Sequence, residues 1–373
     1  MEIVKAKREE YQKIQRSLED AYGHFHDFFP LSYPQTWKEE NTQFENTYLI
    51  KEKGEILSLV RVFPLQLVQN GVEIKAAGIG AVSTSFSHRG KGYMSALMEK
   101  AIKDMKEQGY QISILWGDRH RYKNFGYEVG GNKIEIVINK RGIDKCKVMS
   151  VEAKRYLGEE EILSKIMESY NSHPFRKKRE KEEFQMIYKK IGVLTYYAEE
   201  GKNFAYLSFR RGKEGFSVEE FGGDADLILR ILRFLSERFT TGNFVLIFPD
   251  YSLIPQSFMK VISFWCKKPA GMVKIIDLKE TLERYRKIIE KDFPEEGEIT
   301  LQIKGKTPVT IKKKEGELLI EEKEGKNPVV LDEIGMVRFL FSSPQWFDLP
   351  DEIRKISRIV FPLKLFVWPF DHI

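Results

Sequence analysis

A strand that leads through a glycine-containing turn into a helix is the feature that most limits how this chain can fold. The segment 72–85 reads as a strand, and Asn70-Gly71 before it is typical of a type I′ turn, in which both positions need positive φ. The turn Arg89-Gly90-Lys91-Gly92 follows, and then an apolar stripe at helical spacing that ends at Gly109. The stripe consists of Tyr93, Leu97, Met98, Ala101 and Met105. This order predicts a mixed α/β fold in which the turn lies at the N-terminus of a helix.

The turn has the chemistry of an anion site. The first backbone N–H groups of a helix are unpaired and carry the positive end of its dipole, so phosphate oxygens bind there. Glycines let the backbone approach a pyrophosphate, and Arg89 and Lys91 add positive charge. Neither a Walker loop nor a Rossmann turn fits, because the chain lacks both spacings. An ordinary strand-to-helix turn remains the alternative.

The middle of the chain repeats a related order of elements. A helix is predicted over 6–25 and a hairpin over 47–63 in the first part, and 112–116 reads as a short buried strand. The second part has predicted strands at 194–198, 204–209, 216–221 and 244–248, and a helix at 226–239. Its turn is Gly222-Gly223-Asp224-Ala225-Asp226, whose two carboxylates would repel a phosphate. This second copy is therefore predicted to bind no nucleotide.

The pattern changes from residue 271 onward. Asp277 and Glu280 fit a capping pair for a helix, and strands are predicted at 299–303, 309–312 and 318–322. The segment 361–370 is unusually apolar for a chain end. These features predict a third, α+β unit.

Length and charge exclude several classes of protein. The 373 residues suffice for two or three domains at about 100–200 residues each. The 61 basic and 55 acidic residues give a net charge of +6, without the concentrated basic stripe of a nucleic-acid binder. No apolar run approaches the ~20 residues of a membrane span, and no signal peptide begins the chain. Cys146 and Cys266 lack metal-ligand spacing, so no metal is expected. We expect a cytoplasmic protein with no nucleic-acid or membrane partner.

The motifs resemble those of a known family. The strand, the turn and the later segment 121–127 follow the order of the GNAT N-acetyltransferase fold, whose signature Arg/Gln-x-x-Gly-x-Gly/Ala is matched at Arg89 and Gly92 but not at Met94. More narrowly, the whole chain resembles the enhanced intracellular survival (Eis) family, whose members commonly carry a large residue at that last place. The matching motifs are Phe25-His26-Asp27-Phe28 with Trp37 ten residues after the Asp, the run 82–92, and Tyr122 followed by Phe125-Gly126-Tyr127.

This resemblance implies tandem GNAT domains followed by a domain similar to sterol carrier proteins. The active domain would span 1–145, the degenerate copy 146–270 and the C-terminal domain 271–373. The resemblance also implies acetyl-CoA as cosubstrate, an amine acceptor and assembly into hexamers. The cofactor would be held by Val82, Ser83, Thr84, Arg89, Gly90, Lys91, Gly92 and Tyr93.

Acetyl transfer requires two proton movements that need help at neutral pH. An alkylamine has a pKa near ~10.4 and a thiol one near ~8.5. By the resemblance, the amides of Val82 and Thr84 would polarise the thioester carbonyl, Tyr122 would protonate the departing sulfur, and the chain's own terminal carboxylate at Ile373 would be the base. The apolar tail favours a buried terminus, and burial raises a carboxylate pKa. Two alternatives are that the tail only completes the core of the third unit and that Tyr122 is an ordinary half-buried tyrosine.

The acceptor would be a small polycationic amine, such as an aminoglycoside or a polyamine, or a lysine side chain. By the same resemblance, its pocket would be lined by Asp27, Phe28, Trp37 and Ala81. Asp27 would attract the cation and the Trp37 indole would stack on it, although a helix cap and simple packing are the plainer interpretations. A non-catalytic acetyl-CoA sensor or scaffold and a lipid-binding protein are the competing functions. A lipid carrier would not need the turn, and a sensor would lose Tyr122 or the terminal carboxylate.

Overall fold

The structure is a computed structural model that describes residues 2–212, 215–239 and 242–372. Its strands are β1 Ile3–Lys5, β2 Thr47–Glu52, β3 Glu55–Gln69, β4 Val72–Thr84, β5 Ile112–Leu115, β6 Glu128–Gly130, β7 Lys133–Asn139, β8 Lys154–Arg155, β9 Phe175–Lys177, β10 Val193–Glu200, β11 Asn203–Arg211, β12 Phe216–Gly223, β13 Asn243–Phe248, β14 Ile262–Lys268, β15 Gly271–Ile275, β16 Glu298–Ile303, β17 Val309–Lys314, β18 Glu317–Glu322 and β19 Val329–Leu331. Its α-helices are α1 Tyr11–Tyr22, α2 Phe28–Ser32, α3 Pro34–Trp37, α4 Tyr93–Glu107, α5 Arg119–Tyr122, α6 Lys140–Lys145, α7 Glu160–Asn171, α8 Lys181–Ile187, α9 Ala225–Arg238, α10 Gln256–Met259, α11 Leu278–Arg284, α12 Arg286–Asp292, α13 Glu333–Phe341 and α14 Asp351–Val360.

The described residues divide into two compact units. Unit 1 takes in 2–26, 43–131 and 269–365, and unit 2 takes in 27–42, the described part of 132–268, and 366–372. Both units combine sheets with helices, so the fold is mixed α/β. No helix among the described residues has the length and apolar character needed to cross a membrane.

The larger sheet of unit 1 carries the predicted turn. Its strand order is β1-β2-β3-β4-β5-β15-β6. The hairpin of β3 and β4 closes at Asn70 (φ +53°) and Gly71 (φ +87°), as the type I′ prediction requires. Strand β15 lies between β5 and β6 and is antiparallel to both, so residues 271–275 complete this sheet.

Helix α4 packs on this sheet through the predicted stripe. Leu97, Met98, Ala101 and Met105 are each at most 1% exposed and share one core with residues of β2, β3 and β4. The helix ends just before Gly109, whose φ of +70° confirms the predicted stop. The stripe thus fixes the N-terminus of α4 beside the end of β4.

Unit 1 also contains a smaller sheet with the order β18-β17-β16-β19. Helix α11 precedes it, and the Asp277 side chain accepts a hydrogen bond from the Glu280 N–H at 2.9 Å, which confirms the predicted cap. Helices α13 and α14 follow the sheet and bury their apolar faces.

Unit 2 is built on a sheet with the order β14-β7-β13-β12-β11-β10-β8. Strands β10, β11 and β12 are antiparallel, and α9 connects β12 to the parallel strand β13. The parallel pairing covers only Phe216 with Phe244 and Ser217 with Val245. The Asp224 carboxylate caps α9 by accepting from the Leu227 N–H at 2.8 Å. Unit 2 therefore repeats the order of strands and helix around β4, with a carboxylate at the helix start.

Candidate active site

Strands β4 and β5 separate within unit 1 and leave one edge of β4 unpaired with β5. Their parallel pairing is confined to Ala76 with Ile112, Ala77 with Ser113 and Gly78 with Ile114. Strand β5 ends at Leu115, whereas β4 runs on to Thr84. Beyond Gly78, the edge of β4 that faced β5 is open to hydrogen bonding with another extended chain.

A β-bulge sets the direction of the backbone on that open edge. Ala81 and Val82 together lie opposite one residue of β3, because Leu59 pairs with Ser83 and Arg61 pairs with Gly80. Ala81 has a left-handed backbone, with φ at +53°.

The amides after the bulge alternate between the two edges of β4. The Ser85 N–H donates to the Leu57 carbonyl at 2.8 Å and so points toward β3. Since successive N–H groups of a strand point to opposite edges, the Thr84 N–H points away from β3. On this edge the Val82 carbonyl accepts from the Tyr22 hydroxyl at 2.9 Å and the Thr84 carbonyl from the Arg89 Nε at 3.4 Å, so the edge presents N–H groups to a bound molecule.

The turn after β4 is held by its own side chains. The Nδ1 atom of His88 lies 2.8 Å from the Ser85 Oγ and 2.9 Å from the Ser87 Oγ, and its ring stacks on Tyr93 at 6.3 Å. His88 therefore braces the turn, as a structural histidine.

The two glycines give the turn its backbone shape. Gly90 and Gly92 have φ of +78° and +79°, a left-handed conformation that other residues adopt at a cost. Gly92 is the N-cap of α4 and has no side chain to bond the first helical amides, and the first turn of α4 contains no acidic residue. The start of this helix is thus suited to an anion.

A cavity of about 690 Å³ lies along β4 and the turn. Its lining residues are Ala21, Tyr22, Val82, Ser83, Thr84, His88, Arg89, Gly90, Gly92, Tyr93, Met94, Ser95 and Arg121. Two arginines and no carboxylate occur among these described lining residues. The cavity combines a strand edge, a helix start and positive charge, which are the parts needed to hold a diphosphate-bearing thioester.

Tyr122 lies near this cavity without lining it. The residue is 7% exposed, and burial raises the pKa of its phenol. A Cβ on Gly117 would lie 2.6 Å from the Tyr122 ring, so the glycine provides space for the ring. The phenol of Tyr122 contributes, after burial, to raising the pKa of Tyr22 to about 12. Since burial raises the pKa of Tyr122 above its ordinary value, its phenol stays protonated at neutral pH.

The structure brings together most of the predicted cofactor residues. Lys91 is exposed and is not among the lining residues, and Ala81 contributes its backbone conformation to the bulge. The sequence prediction missed Tyr22 and Arg121 as residues of this cavity. Gly23, directly after Tyr22, was an available signal, because glycine commonly stops a helix and so marks Tyr22 as its last residue.

The other predicted acceptor residues belong to unit 2. Asp27 is exposed with φ at +62°, and Phe28 is half-buried with its ring 5.3 Å from that of Phe29. Trp37 is 2% exposed, and its ring lies 5.4 Å from Phe29. Ile373, the predicted base, lies outside the described residues.

Comparison with known proteins finds a matching family over the first part of the chain. Residues 2–130 match the family model of an acetyltransferase (GNAT) domain. The separated parallel strands and the turn lie within this segment, which is therefore similar to a GNAT acetyltransferase domain.

One curated protein and several solved structures are also similar to this chain. Over 68 residues the chain is 31% identical to an uncharacterized N-acetyltransferase of Streptomyces avermitilis, and the match covers 18% of this chain and only 17% of that protein. A probable N-acyltransferase from Enterococcus faecalis has the same fold, with a TM-score of 0.74 and 20% identity over 100% of this chain and 99% of that one.

Two further solved structures share the fold over 100% of both chains. They are a GCN5-related N-acetyltransferase from Anabaena variabilis, with a TM-score of 0.70 and 16% identity, and Eis1 from Mycobacterium abscessus, with a TM-score of 0.67 and 11% identity.

Proposed function

We propose that the chain is an acetyl-CoA-dependent N-acetyltransferase that acetylates an amine of a small polycationic molecule or a lysine side chain. The observation that carries the proposal is the separation of β4 and β5 beside the start of α4, in a segment that matches a GNAT domain. Acetyl-CoA would supply the activated acetyl group. The narrower resemblance to the Eis family stays part of this proposal.

The open edge of β4 and the turn would orient the cosubstrate. Hydrogen bonds from the Val82 and Thr84 amides would align the thioester, and the start of α4 with Arg89 would hold the diphosphate. Ser83, Gly90, Gly92 and Tyr93 line the same cavity, and Lys91 would add charge from the exposed side of the turn. Ala81 would serve the acceptor through its left-handed backbone, which sets the bulge of this edge.

Proton transfer would involve two further groups. The amine attacks the thioester carbonyl, the carbon–sulfur bond breaks, and the Tyr122 phenol gives its proton to the leaving sulfur. Because its pKa is raised, the Tyr122 phenol carries its proton at neutral pH and can donate it to the sulfur when the carbon–sulfur bond breaks. The terminal carboxylate of Ile373 would take the proton that the attacking amine loses.

An acidic and aromatic pocket would select the acceptor. The exposed Asp27 carboxylate suits a cationic amine, and Phe28 offers an aromatic face. Trp37 is buried and packs against Phe29, so it would support the pocket by holding the Phe29 ring in place.

The domain organisation belongs to the same proposal. The repeated order of antiparallel strands, helix and parallel strand in unit 2 supports a degenerate second GNAT copy at 146–270 after the active domain at 1–145. The four-stranded sheet of β16 to β19 with its flanking helices supports a sterol-carrier-like domain at 271–373. A hexamer and a cytoplasmic location are proposed from the Eis resemblance and the sequence.

The test is release of coenzyme A from acetyl-CoA across a panel of aminoglycosides, polyamines and lysine peptides. We expect saturable release with at least one polycationic amine. Tyr122→Phe should lower kcat by about 10²–10⁴-fold, the usual contribution of a general acid. Tyr127→Phe is the matched control, since Tyr127 is buried nearby and donates to the Ser113 Oγ at 2.7 Å.

A version extended beyond Ile373 tests the terminal carboxylate. It should bind acetyl-CoA normally and turn over slowly. Binding of acetyl-CoA without turnover of any amine would favour the sensor, and no binding at all would remove the proposal.

A further inference from the structure

Helix α5 of unit 1 carries two residues of the candidate site but is too short to hold its own position. Arg121 lines the cavity, and Tyr122 is the proposed acid. The helix has four residues, and its Asp118 cap accepts from the Arg121 N–H at 3.1 Å. Since short helices are marginal on their own, contacts with other elements must set the position of Tyr122.

The buried carboxylate of Glu128 in β6 makes one of these contacts. The Nε and Nη2 atoms of Arg119, the first residue of α5, each donate to one Glu128 oxygen at 2.5 Å. The Val129 N–H donates to the same carboxylate at 2.8 Å, and the Glu128 side chain is 0% exposed. Two parallel bonds fix direction as well as distance. Arg119 therefore holds the start of α5 to β6.

Arg338 of α13 completes this ion cluster. Its Nε and Nη2 atoms donate to Glu128 Oε2 at 3.1 and 2.7 Å, from a position 210 residues further along the chain. The Ser342 hydroxyl, just after α13, donates to the Val129 carbonyl at 2.8 Å. Helix α13 is thus tied to β6 and, through Glu128, to α5.

A second contact of α13 lies on the other side of Tyr122. Glu333, the first residue of α13, pairs with Lys274 of β15 at 2.6 Å. This pair lies against Gly126, where a Cβ would overlap the Glu333 carboxylate and lie 2.7 Å from the Lys274 Nζ. The segment that carries Tyr122 is therefore linked to α13 both before and after that residue.

The contribution of Arg338 is better explained by orientation than by stability. A buried ion pair commonly adds little to stability over apolar residues of equal volume. Arg119 alone already donates to both oxygens of Glu128. Arg338 adds a further donor, which fixes the orientation of the carboxylate relative to α13. The orientation of Glu128 in turn sets where Arg119, and with it α5, can lie.

We infer that Arg338 is a positioning residue, which acts through Glu128 to hold the Tyr122 phenol for proton transfer to the leaving sulfur. This role rests on the proposed function, in which Tyr122 is the acid. A reacting group displaced by about 1 Å can cost about 10²-fold in rate. Helix α13 thereby serves a reaction whose other proposed groups in unit 1 lie within residues 2–130.

The test measures kcat and KM of the full-length protein in the coenzyme A assay. Arg338→Met should lower kcat by about 10²-fold. The KM for acetyl-CoA should stay nearly unchanged, because the turn and the open edge of β4 are left intact. Arg338→Lys should restore part of kcat, because it keeps a cation beside Glu128.

A double-mutant cycle shows whether the effect passes through Tyr122. If Arg338 acts by holding the phenol, its replacement should cost little once the phenol is gone. Arg338→Met should therefore lower kcat much less in the Tyr122→Phe background than in the wild-type protein. A loss of equal size in both backgrounds would overturn the inference.

A matched control separates positioning from general loss of stability. Arg286 on α12 and Arg338 are both 36% exposed, and Arg286 pairs with Glu283 at 2.7 Å in unit 1. Arg286→Met should leave kcat unchanged. Hydrogen–deuterium exchange of residues 118–128 should become faster in Arg338→Met and not in Arg286→Met. Arg119→Met removes the same link from the α5 side and carries the test if Arg338→Met does not fold.

The two measurements also distinguish failure of this role from failure of the proposed function. A wild-type kcat in folded Arg338→Met would overturn the inference, and so would faster exchange with unchanged kcat. If the wild-type protein turned over no amine, the proposed function would fail and the positioning role with it. The exchange rates would still decide whether Arg338 holds α5 in place.

Discussion

The Tyr22 hydroxyl donates a hydrogen bond to the Val82 carbonyl at 2.9 Å and so joins the last residue of α1 to the bulge of β4. Val82 follows Ala81, whose left-handed backbone changes the direction of β4. This change occurs in the part of β4 that is no longer paired with β5. This contact fixes the edge of β4 that we propose to bind the pantetheine arm.

Tyr22→Phe should therefore weaken cosubstrate binding. Loss of one hydrogen bond of about 0.5–1.5 kcal/mol corresponds to a rise in KM for acetyl-CoA of about two- to tenfold. The kcat should change little, because Tyr122 keeps its proton. Steady-state kinetics check this, with Tyr110→Phe as the control, since Tyr110 is buried just beyond the C-terminal end of α4, away from the turn. An unchanged KM would mean that the contact does not shape the binding edge.

The charge of Arg89 should contribute to binding of the diphosphate. Arg89→Gln should raise the Kd for coenzyme A by about ten- to a hundredfold, as expected for a charge-assisted hydrogen bond of about 1.5–3 kcal/mol. The affinity should also become less sensitive to salt, since one screened attraction is removed. Calorimetry at two ionic strengths measures both effects.

Lys103→Gln is the control for Arg89→Gln. Lys103 is 72% exposed on α4, away from the turn, and carries the same charge. Equal losses of affinity in the two variants would show a general effect of net charge rather than a site at the turn.

Local sequence patterns predicted the elements around the site well. The Asn70-Gly71 turn, the stripe of α4 and the stop at Gly109 depend on neighbours within a few residues, so periodicity and φ preferences determine them. The first helix was predicted too long, over 6–25, because its apolar stripe was extended past Gly23 to Phe25. The structure leaves Phe25 54% exposed, and Gly23 with φ +69° ends the helix.

Pairing between distant strands could not be predicted from the sequence. The alternation of Ile134, Ile136 and Ile138 predicts a strand, but its pairing with β13 and β14 depends on partners more than 100 residues away. The insertion of β15 between β5 and β6 likewise depends on pairing between residues that are far apart in the sequence. The Arg179–Asp371 pair joins positions 192 residues apart, and only the fold brings such charges together.

The stability of unit 1 should depend on pH through Glu128. This carboxylate is 0% exposed and bonds to Arg119 and Arg338. Burial would raise its pKa, but the two arginines lower the pKa of Glu128 to about 2 from an ordinary 4.5. A depressed folded-state pKa stabilises the protein above the unfolded-state value, and the contribution is lost as the pH falls from about 4.5 toward 2.

Glu128→Gln should lower the thermal midpoint at pH 7 and flatten its decline below pH 4.5. Scanning calorimetry between pH 7 and 3 measures the difference from the wild-type protein. Glu107→Gln removes a carboxylate that is 62% exposed and should leave the profile nearly unchanged. If the thermal midpoint of Glu128→Gln fell with decreasing pH as steeply as that of the wild-type protein, the acid sensitivity would come from other groups.

Gly131 provides a test of how closely the end of β6 approaches residues far along the chain. Its φ is +67°, and a Cβ would lie 2.4 Å from the Leu365 carbonyl oxygen and 3.0 Å from the Ala270 Cβ. Gly109 has nearly the same φ, +70°, but a Cβ there would meet no atom within 4 Å. The two glycines therefore differ in space and not in backbone conformation.

Alanine at either glycine should cost about 1–2 kcal/mol for the left-handed backbone. Gly131→Ala should cost about 1–3 kcal/mol more, because the backbone at Leu365 must move to admit the methyl group. The difference between their denaturant midpoints measures this packing effect alone. Equal midpoints would contradict the close approach, since a methyl group at 2.4 Å from a carbonyl oxygen cannot be accommodated without displacement.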